Sequence, residues 1–179
     1  VSRRALGAAL LAASLLAACA SVPHEDAATR ESLSGRLAVR VDGADGIPSR
    51  SENAAFELSG DPQAGRLDLS TPLGSIVARA RWSPGSVVLA TPQGERSFVD
   101  LDALTREVLG ESVPVAALFD WLRGRPWPGA ASRPNPDDVD PGFAQLGWTV
   151  SLARFDQGWV TARRERPPAV TVRAKLDRP

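Results

Sequence analysis

Apolar and polar residues alternate with period two along most of this chain. Leu37, Val39 and Val41 alternate with Arg36, Ala38 and Arg40, the pattern of a half-buried strand. Phe56 and Leu58 repeat it, and Leu67 and Leu69 alternate with Arg66, Asp68 and Ser70. Ile76, Ala78, Ala80 and Trp82 alternate with Val77, Arg79 and Arg81. Further strands are predicted over 87–90, 95–99, 148–153, 158–163 and 170–176. Turn chemistry separates them: Asp61-Pro62, Ser83-Pro84-Gly85, Pro92-Gln93-Gly94 and Asp156-Gln157-Gly158. Many short strands at close spacing predict an antiparallel barrel or sandwich with one wet face.

Two stretches change period. Asp100 can cap a helix over 101–109, with Gly110 as its stop. Ser112 can cap a second helix with Pro114 in its first turn and Gly124 at its end. There Val115, Leu118, Phe119 and Leu122 form one apolar stripe, with Trp121 just beside it. Residues 124–141, rich in Pro, Gly and Asp, read as a long surface loop. Two short amphipathic helices can cover one apolar sheet face. A dense core and a lid over an apolar cavity demand the same periodicity, and the close packing of protein interiors favours the dense core.

The first residues follow a different logic. Arg3 and Arg4 precede an apolar run over 6–18, too short to span a bilayer, which takes about 20 residues. The run closes on Leu16-Ala17-Ala18-Cys19, the pattern of a bacterial lipobox, and Cys19 is the only cysteine in the chain. The expected organisation is a signal peptide over 1–18, a lipidated tether over 19–32 and one domain over 33–179. Each buried methylene of an acyl chain contributes about 0.8 kcal/mol, so multiple chains on Cys19 would anchor the protein. Ala20, in place of an aspartate that would favour inner-membrane retention, points to the outer membrane, with the domain facing the periplasm.

Charge is balanced, with 21 Lys and Arg against 21 Asp and Glu, which argues against nucleic acid as a partner. The one histidine, His24, lies in the tether, so a histidine-based triad or a His/Cys metal site in the domain is excluded. Asp137, Asp138 and Asp140 lack the glycine and closing glutamate of a calcium loop and read as a solvated acidic loop. Asp100 and Asp102 suit a helix start better than acid–base work. No enzyme activity and no cofactor are expected.

Three ordered motifs carry a resemblance. They are Thr71-Pro72-Leu73-Gly74-Ser75; Leu109-Gly110 with Val113-Pro114-Val115, Leu118 and Trp121-Leu122-Arg123-Gly124; and Gly142-Phe143-Ala144-Gln145 with Gly147-Trp148. Behind a lipobox, and from Leu33 onward, the chain resembles the LolB family of outer-membrane lipoprotein receptors. The resemblance implies a mainly β fold with a helical lid: a curved, incompletely closed antiparallel barrel with an apolar cavity, shared with the soluble carrier LolA. It implies that lipoprotein acyl chains are accepted from a LolA-like periplasmic carrier and released into phospholipid of the inner leaflet of the outer membrane, by a monomer. It places an exposed leucine on a protruding loop at the membrane step, here Leu73 between Pro72 and Gly74. Without it, Leu73 reads as folded back into the core. Alternation and resemblance together nominate Leu37, Val39, Phe56, Leu58, Leu67, Leu69, Trp82, Leu118 and Trp148 as cavity liners. The chain has no tyrosine, and its Pro126-Trp127-Pro128 is unusual for the family; Trp127 is expected to stiffen its loop.

Overall fold

The computed structural model describes residues 32–43, 48–136 and 140–177. Cys19, His24 and nearly all of the expected tether lie outside them, as do Asp137 and Asp138. Glu31–Pro179 forms one compact unit that contains every described strand and helix.

Eleven strands make one antiparallel sheet: β1 (Leu33–Val41), β2 (Arg50–Gly60), β3 (Gly65–Ser70), β4 (Ile76–Ser83), β5 (Ser86–Thr91), β6 (Gly94–Phe98), β7 (Ser132–Pro134), β8 (Gly142–Gln145), β9 (Trp148–Ser151), β10 (Trp159–Arg164) and β11 (Val170–Leu176). Their order is β6-β5-β4-β3-β2-β1-β11-β10-β9-β8-β7. Sequence neighbours pair throughout, and only β1 with β11 joins distant parts of the chain, in the register Leu37 opposite Ala174 and Val39 opposite Val172. The outermost strands, β6 and β7, do not pair with each other, so the sheet is an open, incomplete barrel. Both edges discourage strand addition. β6 carries Glu95 and Arg96, and β7 is three residues long and ends on a proline.

Alternation sorts the strand residues onto two faces. Val39, Val41, Phe56, Leu58, Ala80, Trp82, Val150, Val160, Val172 and Ala174 are buried inward. Arg36, Arg40, Arg79, Arg81 and Arg173 lie on the outer face. Helices α1 (Leu101–Leu109) and α2 (Val115–Trp121) lie in the connection between the two edge strands and cover the inner face. Asp100 caps α1 as predicted, accepting a 2.6 Å bond from the Ala103 amide, and Gly110 ends it with φ 82° and an amide bonded to the Arg106 carbonyl.

Three expectations need correction. Ser112 does not cap α2: the residue before its first turn is Pro114, which gives no side-chain bond. Instead the buried Thr105 hydroxyl of α1 accepts from the Val113 amide at 3.1 Å and sets the corner between the helices. The second helix does not run to Gly124 but ends at Trp121, which, beside the stripe, is itself fully buried, because a seven-residue helix against a concave sheet is covered on more than one face. Residues 124–141 are not loop throughout: β7 pairs there with β8, its proline tolerated because the strand is an edge.

Candidate functional site

All nine nominated liners share one apolar cluster. Val39, Phe56, Leu58, Trp82 and Trp148 are buried in it, and Leu37, Leu67, Leu69 and Leu118 pack half-buried against it. Three aromatic contacts tie the lid to the sheet, one of them between Trp121 of α2 and Phe143 of β8 at 6.4 Å. Trp82 of β4 meets Phe119 of α2 edge-on at 5.8 Å, and Trp121 of α2 meets Trp148 of β9 at 6.1 Å. Recesses of about 490 and 500 Å³ open elsewhere, one on the outer face of β1, β2 and β11 and one along β7–β9. Leu37 borders the first and Trp148 the second.

The Thr71–Ser75 turn stands clear of this cluster. The Gly74 amide donates to the Thr71 carbonyl at 2.9 Å, with Pro72 at the second turn position. Gly74 then takes φ 85°, which closes the β3–β4 hairpin as a type I turn with a left-handed residue after it. The Thr71 amide bonds the Ser75 carbonyl, also at 2.9 Å, and so pins the turn at its base. Leu73 is thereby turned outward and is 95% exposed, which removes the core reading of this residue. Ile76, which alternation put on the apolar strip with Ala78, and Val77 are also exposed, since the register shifts between Leu69 and Ser70. They widen the tip into an apolar patch. Below the tip Arg79 grips Asp68 across the hairpin through Nε and Nη2 at 2.6 and 2.9 Å. That hydrogen bond, then the carboxylate charge, raises the Arg79 pKa above its ordinary value.

Gln145 organises the lid from below and is 3% exposed. Its Oε1 accepts from Trp121 Nε1 at 2.8 Å and from the Trp127 amide at 2.9 Å. Its Nε2 donates to the carbonyls of Trp127 and Ala130, each at 2.7 Å. All four polar positions of the amide are used, which fixes both its orientation and the path of the Pro126-Trp127-Pro128 loop. The Trp127 side chain packs against the core cluster, and its indole lies where a Cβ on Gly129 would have to go. A second tie joins the helix connection to the sheet. Arg164 on β10 donates to Glu111 Oε2 at 2.6 Å and lies 5.7 Å from the centre of the Trp148 ring. Sequence reasoning missed Gln145 as a joint, although its place in Gly142-Phe143-Ala144-Gln145, before a tight turn, was visible.

Comparison with known proteins decides what this arrangement belongs to. The family described as outer membrane lipoprotein LolB matches residues 30–177. The chain belongs to the LolB family. The outer-membrane lipoprotein LolB of Bordetella pertussis is 37% identical over 176 residues, covering 92% of this chain and 88% of the relative. LolB of Cupriavidus pinatubonensis is 32% identical over 190 residues, covering 99% and 88%. LolB of Chromobacterium violaceum is 34% identical over 123 residues, covering 69% and 63%. The open antiparallel barrel with two covering helices is the fold that the LolB resemblance implies. Among the described residues no helix is long and apolar enough to cross a membrane.

Proposed function

We propose that this protein is the outer-membrane receptor of lipoprotein sorting. It takes the acyl chains of lipoproteins from a LolA-like periplasmic carrier and delivers them to the inner leaflet of the outer membrane. Cys19 is the lipid-attachment residue, and the domain works as a monomer facing the periplasm. The inner face holds the acyl chains among Leu37, Val39, Phe56, Leu58, Leu67, Leu69, Trp82, Leu118 and Trp148 when the lid moves aside. No bond is made or broken. Handover needs only a better acceptor, and about 1.4 kcal/mol biases it tenfold.

The observation that carries this reading is the exposed apolar hairpin tip. A leucine held outward on a rigid turn loses little in water and gains about 1.5–3 kcal/mol on entering hydrocarbon. That is enough to favour release into a bilayer by one to two orders of magnitude. Leu73→Glu should keep the melting temperature and the capture of labelled lipoprotein from the carrier, yet deliver it to liposomes at least tenfold less efficiently. Unchanged delivery would remove the insertion role from this hairpin.

A second reading has its own support. The nine liners belong to or pack against one apolar cluster, as they would in a densely packed assembly lipoprotein that binds a protein partner through its surface. Native mass spectrometry after incubation with an acylated lipoprotein separates the two, since only the receptor retains the acyl cargo.

A further inference from the structure

The outer face of the sheet carries a feature that handling acyl chains on the inner face does not use. Arg36 of β1, Lys175 of β11 and Trp159 of β10 stand side by side, with Arg36 opposite Lys175 and Lys175 opposite Trp159. Arg173, two residues along β11, projects from the same face. The Trp159 ring gathers these charges: Arg173, Lys175 and, from the preceding turn, Arg154 lie 5.7, 5.9 and 5.3 Å from its centre. Arg36, Trp159, Arg173 and Lys175, with Asn53 and small side chains on the floor, line a recess of about 490 Å³. Among the described residues no carboxylate pairs with Arg36, Arg173 or Lys175. Lys175 bonds the neutral Gln157 carbonyl, and Asp177, just past the end of β11, accepts from the Ser34 hydroxyl at 3.1 Å. Arg173 and Lys175 at the indole, with Arg36 beside them, make a local positive site on a chain with no net charge.

The position of the recess identifies its occupant. Pro72 forms part of its wall, and Pro72 is the residue before Leu73. When the Leu73 tip enters a bilayer, the recess beside it therefore comes to the level of the phosphates. We infer that this recess is a docking site for the headgroups of anionic phospholipids, which seats the protein on the membrane while the hairpin enters it. The inference rests on the membrane-facing reading of the hairpin. The indole suits the interface between hydrocarbon and water, and the cations suit phosphate oxygens.

Each basic residue near an anionic surface is worth roughly fivefold in partitioning, so the three together should contribute on the order of a hundredfold. The test uses Glu31–Pro179, the compact unit that holds the whole described sheet and both helices, and so binds without help from an anchor. Its partitioning is measured by co-sedimentation with vesicles of phosphatidylethanolamine alone and with one-third phosphatidylglycerol, at low and high salt. Wild type should prefer the anionic vesicles by tenfold or more, and salt should erase the preference. R36Q/R173Q/K175Q should lose it, and R36Q/R173Q, which changes only the two exposed arginines, should lose most of it. R81Q/R96Q/R106Q, with the same charge removed elsewhere, should keep it. Absence of a preference in wild type, its survival in both recess variants, or equal loss in the charge-matched control overturns the inference. Leu73→Glu should weaken binding to both vesicle types. If it does not, while the recess variants still lose the anionic preference, the insertion reading falls and the headgroup site stands.

Discussion

Gln145→Ala tests whether a single buried amide holds the lid-side loop in place. The substitution leaves four groups without their partner: Trp121 Nε1–H, the Trp127 N–H and the carbonyls of Trp127 and Ala130. Trp121 is fully buried, so its N–H bears the whole desolvation cost of about 1–3 kcal/mol. The three backbone groups lie nearer the surface, where water recovers part of their bonding, and about 0.5–1 kcal/mol is lost at each. The sum, roughly 2.5–6 kcal/mol, is a large share of the 5–15 kcal/mol typical of a domain. It corresponds to a fall in Tm of roughly 5–24 °C at this chain length. Circular dichroism melts of both proteins measure it. Gln145→Glu adds a signature that packing alone cannot mimic. A carboxyl there faces two carbonyls and is bonded well only when protonated, so its folded-state pKa rises above the unfolded value near 4.3. The stability it supplies is present at low pH and lost as pH rises through the folded pKa. A change in Tm below about 3 °C for Gln145→Ala, or a pH-independent deficit for Gln145→Glu, would refute the argument.

Two further substitutions test the lid and the β8–β9 turn. Leu146 holds φ 54° ahead of Gly147 at 78°, the geometry of a type I′ turn that asparagine adopts more readily. Leu146→Asn should therefore raise stability by about 1 kcal/mol, read as the urea midpoint, and a decrease would mean that the half-exposed leucine packs usefully. Glu111→Gln removes the charge partner of Arg164, whose side chain is 16% exposed. It should cost about 1–2 kcal/mol and increase uptake of an apolar fluorophore, whereas unchanged uptake would show that this ion pair does not hold the lid.

The strands that alternate were legible because burial on one face writes its period into the sequence. β3, β4, β5, β6, β9, β10 and β11 were read to within a residue or two of their ends, and β1 from Arg36 onward. β2 is longer than Phe56 and Leu58 suggested, since its first residues, Arg50 to Glu52, are exposed and carry no alternation. β7 was illegible for a related reason. Ser132, Arg133 and Pro134 bury nothing, and their pairing is dictated by β8 rather than by their own propensities. The exposure of Leu73 was readable only through resemblance, because an isolated leucine on a turn has no periodic neighbour to fix its direction. The basic recess was invisible, since Arg36, Trp159, Arg173 and Lys175 come together only once β1, β10 and β11 are side by side.

The missing ladder between β6 and β7 has a mechanical consequence. In a closed barrel the circumference is fixed by strand number and stagger, and any increase in girth breaks a column of backbone hydrogen bonds. Here the seam is bridged by the side chains of two short helices, so widening separates apolar contacts one at a time and leaves every strand pair intact. On the proposed function, such a seam would let the sleeve widen to the calibre of its cargo and close again when emptied.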